Sequence, residues 1–408
     1  MDPVTDIHGL LALWERAAGG DPAVRIAVID GPVDLGHPVL KTARVTPGTR
    51  VAGVASSPIR SEHGTHVTSV LMGVPGSPVL GVAPNCSATV YSIYNETAYG
   101  AIEPSSQAQL ALAINQALAD GADFINISSG QQTATGQADR ILADAVRRCA
   151  HAGTLIIAAA GNDGCRCAQV PGSLHPVLAV GACDLAGRPL PFSNFGDAYL
   201  ENGILAPGEN VKGASPTANI ALRSGTSFAT PIVTGVAALL LSCLRQTGRD
   251  ADPQTVRAAL LSSARPCESG TGAADERRCL AGRLDIPGAV ERLFGKAPDV
   301  GHGWRASQTN AGAPGPHTRG DAAELPHFAT QPPAAREGIM ADTSMMAAPP
   351  TPVIFGPDGN ALRGAHGIAP SEAATPSPTT STPSPAAVAT DRGIRPPRTI
   401  QKSWRVIF

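Results

Sequence analysis

Aromatic residues and charge are both scarce in this 408-residue chain, at 4% and 16%, and the formal net charge is only -2. With so little imbalance there is no basic footprint for nucleic acid or for an anionic membrane surface. Eight cysteines are too dilute for a disulfide scaffold. None of them forms the C-x-x-C pairs of a common zinc site, so no metal is expected. An acidic loop of the D-x-D-x-D kind is missing as well, and calcium is not expected either. The longest apolar run, Val236 to Leu241, falls far short of a membrane span. The N-terminal stretch "MDPVTDIHGLLALWERAAGGD" has no basic beginning and no small-residue cleavage site, which leads to the expectation of a cytoplasmic protein.

What the chain does have is 43% hydrophobic residues, enough for a large core. "VRIAVID" (24–30), "ATVYSIY" (88–94), "DFINIS" (123–128) and "GTLIIAAAG" (153–161) read as buried strands. Helical patterns occupy 63–73, 105–119, 138–151, 227–246 and 253–263. Strand and helix in alternation predict an α/β fold in three layers, a mostly parallel central sheet with helices on both faces. Ligands bind such sheets beyond the carboxyl ends of the strands. Residues 1–295 carry this pattern. Residues 296–408 hold 17 of the 37 prolines and runs such as "AATPSPTTSTPSP", and are expected to be largely disordered. Two apolar islands interrupt that region, at 349–355 and 403–408.

Three polar residues stand at element ends. Asp30 closes the first strand, where a turn or cap would explain it equally well. His63 opens the helix "HGTHVTSVLMG", whereas His66, one turn in, reads as a core histidine with a satisfied hydrogen bond. Ser227 opens the long apolar helix in "SGTSFATPIVTGVAALLL", and a helix cap is its plain reading. The segment is not G-x-S-x-G, which rules out a nucleophile elbow. A serine hydroxyl becomes a nucleophile only when an imidazole takes its proton and a carboxylate holds that imidazole. Asp30, His63 and Ser227 supply those three groups in that order.

"VIDGPVD", "HGTHVTS", "AAAGNDG" and "SGTSFATP" together resemble the aspartate, histidine, oxyanion-hole and serine motifs of the subtilisin-like serine proteases, over about residues 20 to 290. The resemblance implies a subtilisin-like fold and assigns Asp30, His63 and Ser227 to a catalytic triad. Asn162 would be the oxyanion-hole residue, and Ser128, Ser129 and Gly130 the strand that pairs with an extended peptide substrate, with Gly161 opposite. Where that family has a large apolar residue this chain has Ser129, which departs from a preference for big apolar side chains. Asp163 reads as an exposed turn carboxylate.

A narrower likeness lies in "AAAGNDGCRC", "FSNFGDAYLENGILAPGENVKGA" and "RRCLAGRLDIPGA", which are similar to the cyanobactin maturation proteases. Those enzymes process ribosomally made precursors of cyclic peptides, and even the cysteines of these motifs match. Cys165, Cys167, Cys267 and Cys279 are therefore read as structural elements, with a loop-closing bridge between Cys267 and Cys279 favoured over a metal. One kind of domain in that group closes macrocycles under a helical insertion between the aspartate and histidine motifs. Here the two residues are 33 positions apart, and "KTARVTPGTRVAGVASSPIRSE" holds no helix-length amphipathic pattern. Without a lid to exclude water, hydrolysis outcompetes aminolysis, so the expectation is the leader-removing endopeptidase. It needs no cofactor and takes a precursor peptide as its partner. The short stretch before the first strand, unlike the long pro-segment of secreted subtilisins, leads to the expectation of an intracellular enzyme. A broad-specificity intracellular subtilisin and a non-catalytic binding scaffold stay open as alternatives.

Overall fold

Period-two burial sets the centre of the molecule. In the strand Arg25–Asp30, Ile26 and Val28 join a core cluster with Val67, Phe228 and Val236, while Ala27 and Ile29 join another with Leu110, Ile114, Leu142 and Val146. Successive side chains of a strand point to opposite faces, so the strand is buried on both sides. In the computed structural model the described residues are 1–49, 51, 62–96, 102–103, 105–133, 135–216, 219–249, 252–267 and 276–295. The expected disordered region 296–408, and half of the segment expected to lack a lid helix (50 and 52–61), lie outside them.

In chain order the elements are α1 (Pro3–Asp6), α2 (Leu10–Arg16), β1 (Arg25–Asp30), β2 (Val45–Pro47), α3 (Glu62–Met72), β3 (Ser87–Ser92), β4 (Asn95–Glu96) and β5 (Ile102–Glu103). They continue with α4 (Gln107–Ala119), β6 (Phe124–Ile127), β7 (Gln131–Gln132), α5 (Arg140–His151), β8 (Leu155–Ala159), β9 (Gln169–Val170), β10 (Leu178–Cys183) and β11 (Gly203–Pro207). The hairpin β12 (Val211–Ser215) and β13 (Asn219–Arg223) leads into α6 (Thr226–Gln246), α7 (Pro253–Ser263) and α8 (Ile286–Phe294). Seven strands form one parallel sheet in the order β11-β10-β8-β6-β1-β3-β2. The expected strands and helices all form, within two residues of their read limits. β10 and β11 were not anticipated: "LAVGAC" and "GILAP" are built of small residues with weak strand preference, and burial against the core rather than propensity makes them strands.

Local chemistry explains where the helices begin. Ser106 caps α4 reciprocally, its Oγ accepting from Gln109 N at 3.1 Å while Gln109 Oε1 accepts from Ser106 N at 2.9 Å. α5 buries Leu142, Ala145, Val146 and Cys149, an i, i+3, i+4, i+7 stripe. α6 differs, because Thr226 through Leu244 are all buried. By length and mean hydropathy it could cross a membrane, yet its whole apolar window is enclosed by the protein, as befits a central core helix.

Two disulfides are present. Cys267 and Cys279 are bridged, as expected, with Cα atoms 5.9 Å apart; Cys165 and Cys167 are bridged to each other, at 5.2 Å. Cys86, Cys149, Cys183 and Cys243 are buried thiols.

His66 is fully buried on α3, and its Nε2 donates to Val211 O at 3.1 Å, which joins α3 to β12. One ring nitrogen is thus satisfied, as expected for a core histidine, while Nδ1 has no hydrogen-bond partner among the described residues. Burial, then the charges of Arg223 and His63, push its pKa down from 6.5 to about 3. The native state holds this ring neutral and the unfolded chain protonates it below about pH 6.5, so its contribution is complete above that pH and is lost as pH falls toward 3. Thermal unfolding midpoints measured from pH 7 to pH 4 should fall more steeply in the wild type than in a His66→Gln variant.

Candidate active site

β1 is the strand at which the chain order reverses: β3 and β2 lie on one side, β6, β8, β10 and β11 on the other. The carboxyl end of such a strand opens a crevice, and Asp30 stands at it. Its carboxylate is 1% exposed. Oδ1 accepts from Gly31 N at 2.7 Å, and Oδ1 and Oδ2 face His63 Nδ1 at 2.9 and 3.0 Å. With a carboxylate on that side, Nδ1 carries the proton, and in the neutral ring Nε2 is the nitrogen with a lone pair. Asp30 therefore fixes both the direction and the tautomer of His63.

This contact needs α3 to start hard against the end of β1. A Cβ on Gly64 would lie 2.7 Å from Gly31 O and 3.1 Å from Asp30 Oδ1, so only glycine permits the approach. Immediately before His63, Glu62 pairs with Arg223 at the end of β13 and accepts from Ser215 Oγ at 3.0 Å. Burial opposes ionisation of Glu62, but Arg223 and Ser215 outweigh it and hold the carboxyl below its usual range. The pair ties the start of the His63 helix to the strand running into α6.

Ser227 is the second residue of α6, 2% exposed, and both neighbours are anchored. On one side Thr226 N and Oγ1 each donate to Asn162 Oδ1 at 2.9 Å. On the other, the Phe228 ring lies 5.5 Å from the His63 ring and 4.7 Å from that of His66. The expected serine is thus bracketed between the expected oxyanion residue and the expected histidine. Because its carbonyl is turned to Thr226, Asn162 points its amide nitrogen past Gly225, where a Cβ would approach Nδ2 to 3.1 Å. The positive end of the α6 dipole lies at the same place.

Ser128, Ser129 and Gly130 follow directly on β6, and Gly161, at φ +106°, follows β8; all four are buried. Ser129 Oγ accepts from Tyr94 Oη at 2.6 Å. Ser128 Oγ accepts from Asn126 Nδ2 at 3.0 Å, and Asn126 Oδ1 accepts from Thr234 Oγ1 of α6 at 3.0 Å. One buried asparagine therefore sets the Ser128–Gly130 segment against α6. Asp163 is exposed as expected, and Asn194 clasps it, donating through Nδ2 at 3.2 Å and accepting from Asp163 N at 2.8 Å. Asp163, Cys165 and Cys167 bring one oxygen and two sulfurs within 4.8 Å of one another, but the two sulfurs are bonded to each other.

Thr226, Asn126 and Asn194 escaped the sequence reading. Thr226 lay within a quoted motif, and its place at the helix start was the available signal. Asn194 offered none, since its role exists only where distant segments meet.

The arrangement couples a hydroxyl at a helix N-terminus with an oriented imidazole, a buried carboxylate and an amide placed to stabilise negative charge, the set required for acyl transfer. A model described as the subtilase family of S8 peptidases matches residues 21–304. Subtilisin NAT of Bacillus subtilis subsp. natto is 31% identical over 226 residues, 54% of this chain and 55% of that protein. The chain thus spans about half the length of that curated relative. Among solved structures, the prenylagaramide maturation protease PagA is 47% identical, with a TM-score of 0.66, covering 71% of this chain and 100% of that one. The PatG macrocyclase domain is 32% identical, with a TM-score of 0.64, covering 71% of this chain and 97% of that one.

The tight seat of Gly64 gives a direct check on the site. Gly64→Ala should lower stability by about 1–3 kcal/mol through overpacking against backbone. It should also weaken the low-field Nδ1 proton resonance of His63, as calorimetry and proton NMR would record.

Proposed function

The chain belongs to the subtilase family, and from that membership we propose that it is a serine endopeptidase that removes the leader from a ribosomally synthesised precursor peptide. The observation that carries the reading is the buried Asp30–His63 pair at the end of β1, with Ser227 held between residues anchored to His63 and Asn162. Asp30 keeps the proton on His63 Nδ1, so Nε2 takes the Ser227 proton as the hydroxyl attacks the scissile carbonyl. The oxyanion that forms accepts hydrogen bonds from Asn162 Nδ2 and from the backbone N–H of Ser227. His63 then gives its proton to the departing amine. Water enters, His63 deprotonates it, and the acyl-enzyme is hydrolysed.

The peptide adds as a strand along Ser128, Ser129 and Gly130, whose main chain supplies the pairing. Precursor processing is supported by the 47% identity to a protein described as a maturation protease. Leader removal rather than ring closure is favoured by the lower identity to a macrocyclase domain, 32% against 47%. It is favoured too by the lack of an amphipathic helix pattern between Asp30 and His63.

Incubation with precursor peptides encoded near its gene, followed by mass spectrometry, should give one defined cut that Ser227→Ala abolishes. Rapid unselective digestion of casein would instead indicate a broad-specificity subtilisin. Failure of a fluorophosphonate to label Ser227 in folded protein would remove the enzymatic reading altogether. Asn162→Ala should lower kcat by about 10²–10³ with little change in KM, the size measured for the oxyanion-hole asparagine of subtilisin.

A further inference from the structure

Among the described residues, Asp163, Cys165 and Cys167 bring three metal-ligating side chains together, a carboxylate oxygen and two sulfurs all within 4.8 Å of one another. The sulfurs are joined in this structure. Asp163 is exposed and both cysteines are half-buried, so a reductant and an ion can reach them from solvent. The other disulfide differs, because no third ligating group joins Cys267 and Cys279 among the described residues. The four remaining thiols are buried, and burial pushes Cys86 up to about 11 and Cys149 and Cys183 up to about 12. A thiol held protonated is a poor metal ligand.

The loop that carries the two cysteines is held without help from their sulfurs. Gly164 N donates to Phe192 O at 2.7 Å, Phe195 N to Cys165 O at 3.1 Å, and Tyr199 Oη to Cys167 O at 3.3 Å. Arg166, between the cysteines, pairs with Asp197. These contacts tie the backbone on both sides of the pair to the Phe192–Tyr199 segment, and none of them uses sulfur. Opening the S–S bond therefore leaves two thiols on a fixed loop beside Asp163, and little chain entropy is lost when an ion binds them. Gln132 Nε2 already donates to Cys165 Sγ at 3.7 Å, a bond that a thiolate accepts more strongly.

We propose that reduction of the Cys165–Cys167 bond turns this loop into a binding site for a zinc ion, and that the bound ion slows acylation of Ser227. A dithiol supplies two electrons and two protons: the S–S bond breaks, two thiols form, and the dithiol closes to its own disulfide. On binding, both thiols release their protons to solvent. Two thiolates and the Asp163 carboxylate are ligands that zinc takes, with water in the fourth position. Coupling to the site runs through one peptide unit. Asp163 Oδ2 accepts from Asn194 Nδ2 at 3.2 Å and Asp163 N donates to Asn194 Oδ1 at 2.8 Å, while the preceding residue, Asn162, accepts from Thr226 N. An ion that draws the Asp163 carboxylate toward the sulfurs pulls on that clasp and turns Asn162 Nδ2 from its place near Ser227. The metal site stands on its own, whereas its effect on Ser227 rests on the endopeptidase reading.

The full chain, reduced with dithiothreitol and freed of it without oxygen, would be titrated with zinc and with cadmium, whose thiolate complexes absorb in the ultraviolet. The reduced chain should take up one ion and the oxidised chain none. Cys165→Ser with Cys167→Ser should abolish uptake, and Asp163→Asn, at an exposed position, should weaken it by about tenfold or more. Saturating zinc should slow fluorophosphonate labelling of Ser227 in the reduced chain by about tenfold or more, a share of what an oxyanion-hole donor contributes. The oxidised chain, labelled with and without zinc, controls for an ion taken by His63. Equal uptake by oxidised and reduced chains, or uptake that persists without the two cysteines, would overturn the site. Uptake with no change in labelling would overturn the coupling to Asn162. No labelling of the metal-free chain would sink the endopeptidase reading and leave the metal titration standing.

Discussion

Seven strands running in one direction place seven carboxyl ends along one rim, and the chemistry of this protein depends on that constraint. Asp30, the Ser128–Gly130 segment and the Gly161–Asn162 turn come from three neighbouring strands without any loop having to travel. What the sheet cannot supply is the proposed nucleophile and the proposed base. Those come from the first turns of α3 and α6, on the face where Val67, Val70, Phe228 and Val236 share one apolar cluster with Ile26 and Val28. Burial of α6 on every side from Thr226 to Leu244 is then a functional matter, because it fixes the height of Ser227 above the rim.

A rim so deeply buried has to satisfy many polar groups without water. Asn126 does so through Thr234 and Ser128, Tyr94 through Ser129, and Asn194 through Asp163 and Ala160. Such a network is favourable only when its members are paired, since a low local dielectric strengthens made bonds and penalises missing ones. Against that background Gln169 Oε1, like His66 Nδ1, has no hydrogen-bond partner among the described residues.

Much of the fold was legible because apolar period and helix-start chemistry are local properties. β1, β6 and β8 are dense in branched apolar residues, and α4 begins at a serine with a glutamine three residues on. β10 and β11 were not legible, since "LAVGAC" and "GILAP" become strands only when covered by α6. In the site, Asp30, His63, Asn162 and Ser227 stood at element ends and in motifs that can be read in one dimension. Thr226 and Asn194 act across 64 and 31 positions of sequence, and no local pattern announces a partner that far away. The Cys165–Cys167 bridge, by contrast, closes within the "GCRC" motif itself.

The bond from Asn162 Oδ1 to the backbone of Thr226 has a mechanical meaning beyond orientation. It clamps the turn after β8 to the first turn of α6, so the group that would receive the developing negative charge and the group that would create it share one rigid frame. Small breathing motions of sheet against helix then carry both together, and the attack geometry becomes insensitive to the thermal play of the surrounding scaffold.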